Sequence, residues 1–142
     1  LNEILNMCIL EEACNKELFF FLENSLKWLD NNDKISNFHM MFILNLLKYL
    51  GINPHLKSSN SKFLSFKNGS FEKVKPDGLY AEGGSVKVII RLLGMKFDNC
   101  FMLKLSQVQK HEILKILLQY IEYHVQGFKQ PKSLHILHQV FE

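Results

Sequence analysis

Arginine is nearly missing from this chain: of 17 basic residues only Arg91 is an arginine, the rest being lysine. Bidentate reading of guanine edges leans on arginine, so sequence-specific recognition of duplex DNA is disfavoured, while lysine contact with phosphates stays open. Cysteine is sparse too, and Cys8, Cys14 and Cys100 form an odd set without a CxxC spacing. Neither a disulfide framework nor a zinc knuckle is indicated. The three read as reduced cytoplasmic thiols, packed like small apolar residues. No apolar run approaches the roughly 20 residues that span a bilayer, and no signal-peptide pattern stands at the start. Charge of either sign is in small excess only: the net charge is +3 and the pI near 8.7. That is mildly basic, short of the pI above about 9 that marks a basic DNA-binding domain.

What is there is the composition of a globular protein. Apolar residues make up 47% of the 142 and charged residues 22%, and twelve phenylalanines suggest an aromatic-rich core. The length suits one domain, able to bury roughly 68–70% of its unfolded surface without a disulfide or metal. The chain opens at Leu1 inside an apparent helix, so it reads as a fragment of a longer protein.

The apolar periodicity predicts about six helices. The first covers Asn2 to Glu12. The second runs from a cap at Asn15 to about Leu29, with Leu18, Phe21, Leu22, Ser25, Leu26 and Leu29 on one face. The run Asp30-Asn31-Asn32-Asp33 stops it. A third starts at Asn37 or Phe38 and ends at Gly51, with Pro54 beyond. Its Met40 to Leu47 stretch is apolar on almost every side, which places it at the centre of the domain. The fourth covers about Ser85 to Met95. The fifth starts from the capping-box pattern Ser106-Gln107-Val108-Gln109 and closes at Gly127. The last covers about Ser133 to Phe141. Between the third and fourth, residues 55–83 turn rich in serine, glycine and lysine. There Phe63 to Phe71 reads as a hairpin, with Asn68-Gly69 supplying a type I′ turn. The expected architecture is therefore all-α, one helical domain over residues 1–142 with a short inserted β-hairpin arm.

Chemistry is harder to find. Gly83-Gly84-Ser85 lacks the spacing and lysine of a P-loop. It reads either as a phosphate seat at a helix N-terminus or, the preferred reading, as a loop ending in a cap. His111, His124, His135 and His138 gather in the last third, with Glu142 four beyond His138, but surface or half-buried histidine is favoured over a metal cage. No catalytic residue, metal site or cofactor is assigned. Lys57, Lys62, Lys67, Lys73 and Lys75 are more informative, because Phe63, Phe66 and Phe71 interleave with them. Such a set suits a sequence-tolerant single-strand surface. The competing reading is a solvated lysine loop whose phenylalanines tuck back onto the helices, and Glu72, Asp77 and Glu82 favour it.

Several stretches together resemble the C-terminal domain of the RecO family, in the form found in Bacteroidetes-type bacteria. They are Glu17-Leu18-Phe19 through Leu26-Lys27-Trp28-Leu29-Asp30, Asn37-Phe38-His39 through Leu47, and Tyr49-Leu50-Gly51-Ile52-Asn53-Pro54. Phe66-Lys67-Asn68-Gly69-Ser70-Phe71, Leu103 to Tyr120, Pro131-Lys132-Ser133-Leu134 and Val140-Phe141 continue the match. The resemblance runs over nearly the whole chain, and order and spacing carry it rather than any one motif.

The resemblance implies a non-enzymatic recombination mediator in DNA repair, of which this chain is the helical part without its N-terminal OB-fold. It implies the acidic C-terminal tail of single-strand-binding protein and RecR as partners, and help in RecA loading and strand annealing on single-stranded DNA. Many members carry a four-cysteine zinc finger between the third and fourth helices; this chain has none there, so no zinc is expected. Some place an arginine just before the phenylalanine that opens the third helix. Here Ser36 and Asn37 stand there, and Lys34 or Lys48 is the candidate substitute. An acidic tail with an apolar end wants a hydrophobic pocket rimmed by cations, and Phe21, Phe38 and Phe42 near Lys27, Lys34 and Lys48 are the candidates. Core packing is the alternative for each phenylalanine. A helical interaction domain without DNA binding is the alternative for the whole chain.

Overall fold

The computed structural model describes residues 16–131 together with Glu3. The expected first and last helices, with Cys8, Cys14, His135, His138 and Glu142, lie outside the described residues.

Helix α1 spans Lys16–Asn31. Its end is built as the asparagine run suggests: Asn31 Nδ2 donates to the Lys27 carbonyl and Asn32 Nδ2 to that of Trp28, both at 2.8 Å. Two of the orphan carbonyls of the last turn are thereby satisfied. Helix α2, Phe38–Tyr49, buries eight of its 12 residues and is the centre of the core, as its all-round apolarity predicts. It closes in a Schellman motif: Gly51 N–H donates to Lys48 O at 3.1 Å and Ile52 N–H to Leu47 O at 3.0 Å, with Gly51 at φ 74°. Helix α3 covers Gly84–Leu93, and a 3-10 helix follows at Phe97–Met102. Helix α4, Gln107–His124, starts from a complete capping box, Gln109 N–H donating to Ser106 Oγ and Ser106 N–H to Gln109 Oε1. It lays Ile113, Leu117, Leu118, Tyr120 and Ile121 into the core beside α2.

The all-α expectation is overturned by a four-stranded mixed sheet. Its strands are β1 (His55–Leu56), β2 (Phe63–Ser65), β3 (Ser70–Glu72) and β4 (Tyr80–Glu82), in the order β1-β3-β2-β4. The expected hairpin is β2–β3; β4 adds antiparallel to β2, and β1 adds parallel to β3. The outer strands escaped the sequence because two or three residues are too few to display a period of two. The turn differs too. Phe66 to Gly69 form a four-residue loop in which Gly69 alone takes positive φ, 59°. A type I′ turn would need positive φ at Asn68 as well.

In the sheet, Leu64 stands opposite Phe71 and Ala81. Leu64 and Phe71 are 1% and 0% exposed, so this face joins the helical core. Phe63 and Tyr80, on the other face, remain half-buried. Tyr120 ties the two parts together. Its hydroxyl donates to the Ile52 carbonyl at 2.7 Å, and its ring meets Phe66 edge-on at 5.7 Å.

Candidate functional site

The three phenylalanines proposed for a tail pocket do come together, because positions seven apart on α1 face one side of α2. Phe21 stacks on Phe42 at 5.2 Å and on Tyr49 at 4.7 Å; Trp28 stacks on Phe38 at 5.4 Å with the rings nearly parallel. Phe97 of the 3-10 helix closes the block against Trp28 and Phe38, at 5.5 and 5.2 Å. Trp28 Nε1 donates to Asp98 at 2.7 Å, which satisfies the indole N–H at the edge of the stack. Phe38 and Phe42 are buried and serve as a floor. Phe21 and Trp28 line a depression of about 490 Å³ with Phe20, Asn24, Tyr49 and Phe97. The lysines do not join them. Lys27 is exposed and paired with Glu23 at 2.8 Å, Lys48 is exposed away from the lining, and the charged group at the rim is Glu17.

Lys34 belongs to a second depression, about 430 Å³, shared with Asp33, Ile35, Ser36, Phe101, Leu103, Lys104 and Leu105. The Lys34 ammonium sits 4.8 Å from the centroid of the Phe101 ring, within cation–π range. Lys110 reaches the same edge and donates to Ser36 Oγ at 3.2 Å. What assembles this place is Asn37. It takes φ 68°, a left-handed conformation that asparagine tolerates. From there its Nδ2 donates to the carbonyls of Cys100 and Leu103, 2.8 Å each, pinning the 3-10 segment to the entrance of α2. Cys100 S–H donates to Ser36 O at 3.4 Å, and burial pushes its thiol up from the usual range. Half-buried His39 is held down to about 4, first by burial and then by the charge of Lys110. It is therefore neutral near pH 7 and adds no charge to the rim.

Phe101, Lys104, Leu105 and Lys110 were not singled out in the sequence. They lie some 60 to 75 residues from Lys34 and Ser36 along the chain, and no local spacing announces the meeting.

Lys57, Lys62, Lys67, Lys73 and Lys75 are all exposed on the sheet arm. Their interleaved phenylalanines divide. Phe66 and Phe71 tuck into the core at 4% and 0% exposure, whereas Phe63 stays on the outer face against Tyr80, ring centroids 5.8 Å apart and edge-on. The Lys75 ammonium lies 5.4 Å from the Tyr80 centroid, and its bond to Tyr80 raises its pKa. Lys57 is 3.8 Å from Glu72, whose carboxyl is held down by hydrogen bonds from Asn68 and Ser70.

At the start of α3, Gly83 is the N-cap and Ser85 Oγ donates to Glu112 at 2.9 Å, so this hydroxyl is engaged with α4. His124 packs on Tyr120 at 4.4 Å and on Tyr123 at 5.1 Å. Among the described residues no three His, Cys, Asp or Glu side chains gather closely enough to hold a metal ion, and no helix is long and apolar enough to cross a membrane.

Two depressions, one lined by Lys34 and Lys104 together with Asp33, and a lysine-bearing sheet mark a domain in which helices carry a small mixed sheet. The chain belongs to the family described as recombination protein O C terminal, whose profile matches residues 1–135. It is similar to the DNA repair protein RecO of Christiangramia forsetii and to that of Flavobacterium psychrophilum, each 38% identical over 99% of this chain and 59% of the relative. The RecO of Phocaeicola vulgatus is 31% identical over 99% of this chain and 60% of its own length. The chain thus spans about three fifths of the length of these relatives. No solved structure matches it.

Proposed function

We propose that this chain is the partner-docking part of a recombination mediator in DNA repair, acting by binding and making or breaking no bond. The observation that carries this reading is the depression between Lys34 and Phe101. Its walls Ile35, Phe101 and Leu105 suit an apolar terminal residue. Lys34, Lys104 and Lys110 stand where they can receive carboxylates through charge-assisted hydrogen bonds. An acidic peptide with an apolar C-terminal residue and a free carboxylate fits this chemistry, and the tail of single-strand-binding protein is such a peptide. The name DNA repair protein RecO, borne by the relatives, supports the same direction. Docking of RecR, aid to RecA loading and strand annealing belong to this reading. The lysine arm adds an auxiliary contact to single-stranded DNA, beside an OB-fold that carries most of it.

The test is fluorescence anisotropy of a labelled tail peptide, with the C-terminally amidated peptide as control. Saturable binding that weakens with amidation, with Lys34→Glu and with Lys104→Glu supports the proposal. Loss with Lys27→Glu or Lys48→Glu alone would move the pocket to the Phe21 side. No binding at high micromolar protein removes tail docking. A second reading, a protein-interaction domain without DNA contact, is favoured by Phe19, Phe20 and Leu26, which expose 65, 60 and 50% of their surface on α1. Under that reading DNA affinity would be absent at low salt.

A further inference from the structure

Asparagine followed by glycine occurs once in the chain, at Asn68-Gly69 in the β2–β3 turn. The fold dictates both residues. Gly69 sits at φ 59°, and a Cβ there would stand 3.2 Å from the Tyr120 hydroxyl, so the position excludes a side chain. Asn68 is exposed and fastens the turn: its N–H donates to Ser65 Oγ at 3.2 Å and its Nδ2 to Glu72 Oε1 at 2.9 Å. The Gly69 carbonyl accepts from His55 N–H at 2.8 Å and so holds the start of β1. The turn thus sets an exposed side-chain amide next to a main-chain nitrogen that no Cβ shields. Such a pair is labile, because the nitrogen can close on the amide carbon, a route by which asparagine is lost on heating.

We propose that Asn68-Gly69 is a self-modification site, converting to aspartate and isoaspartate at a rate that Glu72 restrains. The Gly69 nitrogen bonds to Asn68 Cγ as the Cγ–Nδ2 bond breaks. Nδ2 leaves as ammonia, taking up the proton that the Gly69 N–H gives up. Water then adds to either carbonyl of the succinimide and opens it, to aspartate in the normal chain or to isoaspartate. Water is the only co-reactant.

Glu72 is the brake because the nitrogen it holds is the leaving group, and their charge-assisted bond must break as Nδ2 departs. The same carboxylate makes the product costly. Either product carries a carboxylate next to Glu72, with Ser70 Oγ at 2.9 Å and Lys57 at 3.8 Å left to offset the repulsion. Isoaspartate also lengthens the main chain between residues 68 and 69. That draws Gly69 from its seat on Tyr120 and its carbonyl from His55. Conversion of one turn therefore loosens the joint between the sheet and α4.

The full chain is incubated in mildly alkaline buffer and followed by peptide mass spectrometry, ammonia release and enzymatic methylation of isoaspartate. Conversion is expected at Asn68 ahead of every other asparagine. The converted fraction is expected to melt lower and to exchange the His55 N–H faster. Glu72→Ala is expected to convert about tenfold faster, for one charge-assisted bond lost. Glu72→Gln, which keeps the shape and an acceptor, serves should the alanine variant not fold, with a smaller acceleration. Asn68→Gln, whose longer arm closes a less favourable ring, is expected to stay intact. An Asn68 that persists in the folded chain while a free peptide of residues 62–75 converts would overturn the site. So would equal rates at Asn68 and at exposed Asn60, which precedes a serine. An unchanged rate in both Glu72 variants overturns the restraint, and a converted chain that melts like fresh protein overturns the loosened joint.

Discussion

The contact that joins the sheet to the helices can be tested by filling it. Gly69 lies at φ 59° in the β2–β3 turn, and a methyl group built on it would stand 3.2 Å from the Tyr120 hydroxyl oxygen. That oxygen has little freedom to retreat, being held by its 2.7 Å bond to the Ile52 carbonyl in a residue 1% exposed. Burial also pushes the Tyr120 phenol up to about 12, so it remains a donor throughout the ordinary pH range. Gly69→Ala therefore carries two separable costs. A left-handed alanine costs about 1–2 kcal/mol, and the tight contact adds about 1 kcal/mol of overpacking. Tyr120→Phe alone, which removes one buried hydrogen bond, costs about 1–1.5 kcal/mol.

Combining the two removes the oxygen against which the methyl presses. The double variant is expected to be about 1 kcal/mol more stable than the sum of the single effects predicts. Thermal and urea unfolding of the four proteins reads this, at about 3–5 °C per kcal/mol for a chain of this length. If Gly69→Ala costs the same with and without the Tyr120 hydroxyl, the turn is not seated on that hydroxyl and the joint described here is wrong.

His39 gives a pH dependence of definite sign. Its unfolded value is 6.5 and its folded value about 4, so between them the unfolded chain holds more protons and stability falls as pH drops. The loss is about 1–3 kcal/mol after allowing for partial exposure, and melts of His39→Gln against the parent should show it flattened between those two values. Asp98→Ala leaves the indole N–H of Trp28 without its partner; a cost of about 1 kcal/mol is expected in urea unfolding. Trp28 is the sole tryptophan, so a shift in its emission reports the same change locally. Ser106→Ala removes the capping box of α4 and should cost about 1 kcal/mol in the same unfolding experiments.

What could be read from the sequence was whatever depends on neighbours along the chain. Ser106 and Gln109 announce their cap because both partners of both bonds lie within four residues. Gly51 announces the Schellman close of α2 for the same reason. The all-round apolar stretch Met40 to Leu47 could only be buried, and it is. The sheet is the contrary case. His55–Leu56 becomes a strand only because β3 lies alongside, and Tyr80–Glu82 only because β2 does. The 3-10 helix at Phe97–Met102 has no periodicity to show in a single short run.

The candidate surfaces divide along the same line, and Asn37 explains why. In the sequence Ser36 and Asn37 simply stand where the resemblance implies an arginine ahead of Phe38, and Lys34 or Lys48 is the candidate substitute. In the structure the Asn37 side chain points inward and binds two carbonyls more than 60 residues away, and that brings Phe101, Lys104 and Leu105 beside Lys34. A long cationic side chain at that position could not donate to both carbonyls and also reach solvent. Lys34, Lys104 and Lys110 are the lysines that flank the place, with Asp33 among its lining residues. Phe38 and Phe42, by contrast, were picked for their chemistry and their proximity to lysines in sequence, and helix periodicity turns both into the core, where they stack against Trp28 and Phe21. An inward Asn37 thus accounts for the location of the depression beside Lys34. Asn37→Ala should accordingly loosen the 3-10 segment and weaken tail-peptide binding without removing any residue of the pocket.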